Sequence, residues 1–151
     1  MIYFNALREG IVLPSRASFD DSSFDITMPE SLVIPPMKSA WIKSGLNIVI
    51  PHGHIGMFTV RTSVAQETNL QSNSGNLHPN YPNEILIGLW NPSDKPIEIR
   101  AGDRLIQLVV VAVCTQTTVS RPRCLNNAEN RLVGSTGLRA PLTPIATEGQ
   151  S

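Results

Sequence analysis

Twelve prolines in 151 residues, set mostly at the ends of short apolar runs, exclude a fold built on long helices. Each proline lacks a backbone donor and holds φ near about −65°, which stops helices and suits strand ends and turns. Between them, residues 42–45, 47–50 and 55–60 are β-branched or aromatic segments, with Pro51-His52-Gly53-His54 as a turn before the last. Residues 85–90 form a further strand, which Asn91-Pro92-Ser93-Asp94 turns back. Residues 96–100 alternate Ile97 and Ile99 with polar neighbours, the pattern of a half-buried strand. Ala101-Gly102-Asp103 is a tight turn before the longest apolar run, 105–114. That run is broken by Gln107, is too short to cross a bilayer, and reads as a buried strand. One stretch invites a helix: residues 63–70, two turns with Thr62 as N-cap and Glu67 further along. Many short strands with regular turns predict an all-β barrel or jelly roll over residues 1–137. The polar, aperiodic residues 138–151 read as an extended C-terminal arm.

A chain of this length buries a core without covalent staples. Cys114 and Cys124 form no CxxC pair and are expected to be buried, reduced thiols. Lys+Arg and Asp+Glu both number 12, so a formal net charge of zero gives no general attraction to nucleic acid or an anionic membrane. No specific nucleic acid and no membrane partner is expected. Met1-Ile2-Tyr3-Phe4 lacks the basic and apolar regions of a secretory signal, so the expectation is an intracellular, cytoplasmic protein that is not secreted. His52 and His54 have HxH spacing but sit in a turn with no third ligand in view, and no metal site is expected.

Five segments then carry a resemblance. They are Ser22-Ser23-Phe24-Asp25-Ile26; Pro51-His52-Gly53-His54-Ile55-Gly56 with Val60-Arg61-Thr62-Ser63-Val64-Ala65; and Gly75-Asn76-Leu77-His78-Pro79-Asn80-Tyr81-Pro82-Asn83-Glu84. Ala101-Gly102-Asp103-Arg104-Leu105-Ile106-Gln107-Leu108 and Arg131-Leu132-Val133-Gly134-Ser135-Thr136-Gly137 complete the set. In this order and spacing, over residues 11–137, the chain resembles the trimeric dUTPase superfamily. The resemblance implies a distorted jelly roll with one short helix. It also implies a homotrimer whose sites draw on more than one chain, a deoxynucleotide ligand, and Mg²⁺ carried on the nucleotide phosphates if the chain is active.

The resemblance assigns roles residue by residue. Arg61 is the forked phosphate cation, with Thr62 and Ser63 adding hydroxyl and backbone donors; the alternative is a surface arginine beside a helix cap. The family glutamine matching Gln107 reaches the phosphates; a neutral amide in this strand needs a hydrogen-bond partner, and satisfaction within the core is the alternative. Arg131 and the Gly134-Ser135-Thr136-Gly137 loop are candidate phosphate wraps, or else a solvated loop. Val133 stands where the family stacks an aromatic on the base, removing a contact worth about 1–3 kcal/mol. Tyr81 matches the ring that packs on the deoxyribose, and Asp25 matches an aspartate that supports the site. Asp103-Arg104 reads as a structural turn and ion pair. Asn83 replaces a glycine and is expected to narrow or reshape the hairpin.

The main departure is His78, which replaces the aspartate that orders the attacking water and contacts the sugar hydroxyl. A carboxylate accepts both hydrogen bonds, whereas a neutral imidazole has one acceptor nitrogen. His78 is either a diverged catalytic base or a turn histidine. The related dCTP deaminases need a glutamate at the position of Gly88, which cannot shuttle protons. The substitutions favour a dUTPase-fold homotrimer with a degraded catalytic centre. Such a protein would be non-catalytic and kept for binding, regulation or structure, with a viral or host protein partner and a virion-associated setting open to it. The alternative is an active pyrophosphatase that cleaves dUTP or another deoxynucleoside triphosphate to the monophosphate and pyrophosphate.

Overall fold

The computed structural model describes residues 1–115. Cys124, Arg131, Val133, Gly134, Ser135, Thr136, Gly137 and the 138–151 arm lie outside the described residues. The elements in chain order are β1 (Tyr3–Ala6), β2 (Ser23–Thr27), β3 (Leu32–Ile34), β4 (Ser39–Lys43), β5 (Leu46–Val49) and β6 (His54–Val60). There follow α1 (Thr62–Thr68), β7 (Gln71–Ser72), β8 (Leu86–Trp90), β9 (Ile97–Ile99) and β10 (Arg104–Ala112). They pair antiparallel in the orders β1-β5, β2-β10-β6, β3-β9 and β4-β8-β7. This is the all-β architecture that the turn-rich pattern predicts and the distorted jelly roll that the resemblance implies.

Alternation on β10 sets the two sides of its sheet. Ile106 and Leu108 are fully buried, while Gln107 between them faces the other way. The register places Gln107 between Asp25 of β2 and Thr59 of β6, so polar residues of three strands share one face. A slip of one residue would send Gln107 into the core. On the inner side Ile26, Ile42, Ile48, Ile87 and Leu89 join Ile106 and Leu108. Burial of each such side chain contributes about 1.5–3 kcal/mol.

One contact fixes the site loop. Gly56 of β6 exchanges two backbone hydrogen bonds with Leu77, at 2.9 and 2.8 Å. The point where a Cβ would stand on Gly56 is 3.0 Å from carbons of both Leu77 and Leu108, so the loop lies tight against the strand because residue 56 has no side chain.

Four local expectations change. Arg61, not Thr62, holds the N-cap position, because it keeps the extended backbone of β6 (φ −61°, ψ 139°) and no side-chain cap forms. The helix stops at Asn69, whose left-handed φ of 58° is one that asparagine tolerates, and Leu70 is buried outside it. The 105–114 run is half-buried, since Val111 and Val113 are exposed. Cys114 is a free, exposed cysteine beyond the end of β10.

Candidate functional site

The first half of the site is a cavity of about 260 Å³ beside residues 75–86. Phe58, Leu77 and Ile85 form its buried floor, while Trp41, Tyr81 and Leu86 stand exposed around it. Its volume is near the lower end for small-molecule sites, and its apolar lining suits a compact ring system. His78 follows Leu77 and is exposed; its carbonyl accepts a hydrogen bond from the Tyr81 N–H at 3.3 Å, closing a turn. The left-handed residue of that turn is Asn80 (φ 63°), so Asn83 keeps an ordinary backbone without the family's glycine.

Side chains from elsewhere fasten this loop. Asn47 Nδ2 donates to the carbonyls of Tyr81 (3.3 Å) and Asn83 (3.2 Å). Glu84 Oε1 accepts from the Gly45 N–H at 2.7 Å and from Arg8 Nη1 at 3.0 Å, and Arg8 Nη2 donates to the Lys43 carbonyl at 3.0 Å. The loop is thus held to β5, to the β4–β5 turn and to the segment after β1. Trp41 is set by β8: it pairs with Gly88, and Trp41 Cζ3 and Cη2 lie 2.8 and 2.9 Å from where a Gly88 Cβ would be. A glutamate at 88, as the deaminases require, would collide with that ring.

The second half of the site is a charge cluster. The Asp25 carboxylate is 4 % exposed, with Oδ1 3.3 Å from Arg61 Nε and Oδ2 3.6 Å from Arg104 Nη1. Among the described residues Oδ2 accepts no hydrogen bond. Two guanidiniums against one carboxylate leave a net positive charge. Arg61 is further tied by its N–H to the Leu105 carbonyl (2.9 Å) and by Nη1 to the Arg104 carbonyl (3.4 Å). Thr62 and Ser63 are exposed beside it. The expected Asp103–Arg104 ion pair is replaced: Arg104 turns to Asp25, and Asp103 Oδ2 accepts the Arg100 N–H at 2.8 Å to close its own turn.

Gln107 has its partners inside the sheet. Its Oε1 lies 3.2 Å from Ser23 Oγ and its Nε2 lies 3.2 Å from Thr59 Oγ1. Ser23 Oγ also lies 3.1 Å from Asp21 Oδ1, and its single hydrogen serves one acceptor at a time. Turning the amide over lets Gln107 donate to Ser23, Ser23 donate to Asp21, and Thr59 donate to Gln107. A phosphate contact from Gln107 would require exchanging one of these partners. The Ser23 N–H and hydroxyl hold the Asp21 carboxyl below its ordinary 3.8.

The structure therefore gathers Arg61, Asp25, Arg104 and Gln107 in one cluster, and places Tyr81 at the cavity, with His78 in the turn next to Leu77, which is bonded to Gly56 of β6. Phe58 of the cavity floor points with Leu108 to the inner side of the sheet, whereas Thr59, Gln107 and the charge cluster lie on its other face, so the cavity and the cluster open on opposite sides of β6. His54 Nδ1 lies 3.1 Å from the His52 carbonyl, a local contact. Among the described residues no group of three or more His, Cys, Asp or Glu gathers to hold a metal, and no helix is long and apolar enough to cross a membrane. Sequence reasoning passed over Trp41, Asn47 and Arg8. The one signal was Trp41 itself, a large aromatic between Ala40 and Ile42 just before a predicted strand.

Comparison with known proteins gives these features a family. The model of the dUTPase family matches residues 9–137. A deoxyuridine 5'-triphosphate nucleotidohydrolase of Mycobacterium marinum is 33 % identical over 110 residues, covering 71 % of each chain. One of the same name from Paramecium bursaria Chlorella virus 1 is 28 % identical over 109 residues, covering 72 % of this chain and 77 % of its own. A solved mutant dUTPase from phage phi11 of S. aureus superposes with a TM-score of 0.74 at 25 % identity, covering 81 % of this chain and 97 % of its own. These relatives, named for the hydrolytic reaction, overturn the expectation of a non-catalytic descendant with a degraded centre. With the family model spanning most of its length and a curated relative one-third identical across 71 % of it, this chain belongs to the dUTPase family.

Proposed function

We propose that the chain is an active dUTP pyrophosphatase, converting dUTP and water to dUMP and pyrophosphate. The observation that carries this reading is the apolar cavity lined by Leu77 and Tyr81, the residues that flank the turn carrying His78. The base and deoxyribose occupy the cavity, with Tyr81 against the sugar. The neutral imidazole of His78 accepts a proton from the water as its oxygen bonds to the α-phosphorus. The bond from the α-phosphorus to the bridging oxygen of the β-phosphate breaks, and pyrophosphate leaves with that electron pair. Because one imidazole nitrogen accepts one hydrogen bond, the sugar hydroxyl takes another partner.

Charge on the triphosphate is met by Arg61, Thr62, Ser63 and Gln107, joined by Arg131 and the Gly134-Ser135-Thr136-Gly137 loop. Since Arg61 and Gln107 lie on the face of the sheet opposite Phe58 and the cavity, Arg61, Thr62, Ser63 and Gln107 serve the cavity of a neighbouring chain in a homotrimer. The outer face of β6 and β10, with Met57 and Val111 exposed, offers apolar surface for that assembly. Mg²⁺ carried on the nucleotide would neutralise part of the phosphate charge, while the Asp25 carboxylate is taken up by Arg61 and Arg104. Work on deoxynucleotides suits the interior of a cell.

Pyrophosphate release from a panel of deoxynucleoside triphosphates with Mg²⁺ tests the reading. Turnover of dUTP is expected, with kcat falling about 10²- to 10⁴-fold in His78→Ala and retained or raised in His78→Asp. An intact chain that leaves dUTP uncleaved would overturn the activity. A monomer by mass in solution would overturn the shared site.

A further inference from the structure

We infer that Trp41 is the aromatic wall against which the nucleobase packs, supplying within the cavity the stacking contact that Val133 cannot make. This rests on the proposed dUTP-binding role of the cavity and adds a residue and a specificity element to it. Three observations converge. The ring is positioned: Trp41 pairs with Gly88, and with Cζ3 and Cη2 within 3 Å of the missing Cβ position the indole lies over a glycine where any side chain would have to displace it. A glycine beneath an aromatic on the neighbouring strand fixes the ring without covering its other side. The ring also remains open, at 59 % exposed, although its strand neighbour Ile42 is fully in the core.

The apolar surface around the ring is bounded along β4. Ser39 and Lys43, the residues of β4 on the same face, are exposed and polar, so the apolar surface does not spread along the strand as a protein interface would. It continues instead into Leu86, Leu77 and Tyr81 around the cavity. A planar heterocycle with one apolar face is the occupant such a slot fits, because every base has a π-face and an indole stacks on it. Tyr81 then meets the sugar and Trp41 the base, dividing the nucleoside between two rings.

The chain holds two tryptophans, Trp41 and the half-buried Trp90, so intrinsic fluorescence reads the proposal directly. Titration with dUMP is expected to quench the unaltered protein, and Trp41→Phe is expected to bind dUMP with that change abolished. Trp41→Ala should raise KM for dUTP about tenfold, equivalent to about 1.4 kcal/mol, with kcat within about twofold, since the base is bound alike in ground and transition states. Trp41→Phe should recover most of the loss. An unchanged KM in Trp41→Ala, or a quench that persists in Trp41→Phe, would overturn the role of Trp41 and leave the dUTPase activity standing. An unaltered protein that neither binds dUMP nor cleaves dUTP would overturn the activity itself.

Discussion

Gly88→Ala isolates the packing on which the Trp41 geometry depends. The added methyl would meet Asn73 Oδ1 and, at 2.8 and 2.9 Å, two carbons of the Trp41 ring. The φ of Gly88 is not positive, so backbone strain does not enter. Asn73 ends in a movable amide, whereas the indole is rigid and must tilt or push its strand outward. Overpacking of this kind costs about 1–3 kcal/mol, offset by about 0.5–1 kcal/mol that alanine gains over glycine in a strand interior. A net loss of about 1–2 kcal/mol is expected. In urea unfolding at fixed protein concentration the midpoint should fall by between a few tenths of a molar and about 1 M, with m unchanged. The same substitution in a Trp41→Ala background should be neutral or stabilising, giving a coupling energy of about 1–3 kcal/mol between the two positions. An equal loss in both backgrounds would refute the reasoning, since the indole would then not be the obstacle.

Asp25→Asn keeps the shape but withdraws the charge between Arg61 and Arg104. Because both arginines are partly exposed and screened, the loss of stability should be about 2 kcal/mol, below the range for a fully buried pair; an unchanged unfolding midpoint would sink this reading. Asn47→Ala removes the donor to the Tyr81 and Asn83 carbonyls, which water can replace. Stability should fall by about 1 kcal/mol, while KM for dUTP rises severalfold in steady-state kinetics. The Asp21 carboxyl is held below 3.8 by Ser23, so it contributes stability that is present above that value and lost as pH falls through its lowered one. Asp21→Asn should therefore flatten the acid limb of unfolding midpoints measured from about pH 5 downward, and an unaltered limb would contradict it.

The sequence pattern revealed what depends on alternation and turn chemistry. Gln107 stood out because it is polar between buried Ile106 and Leu108, and the structure gives it the partners such an amide needs. Strands β1, β2, β3 and β7 were missed: β1, β3 and β7 are two to four residues long with no clear polar–apolar alternation, and in β2 the polar Ser23 and Asp25 are themselves buried, which hides its period. The N-cap was misplaced by one residue because Thr62 has the better capping side chain, while the extended end of β6 decides where the helix begins. His78 was weighed as a single substitution in a motif, and its chemical loss was judged without the cavity around it. Trp41 and Asn47 act across the sheet on residues about 40 positions away. No local pattern reports such contacts.

The fastening of the 75–86 loop bears on how such a site tolerates change. Asn47 reaches its backbone carbonyls, and Glu84 carries its returning arm onto the Gly45 amide and Arg8. Its course is dictated by anchors outside the turn, so the turn's own side chains are free to be exchanged without displacing the rest. A histidine and an asparagine can thereby replace residues that relatives use there, and new ligand preferences become reachable through single replacements in a frame that does not move.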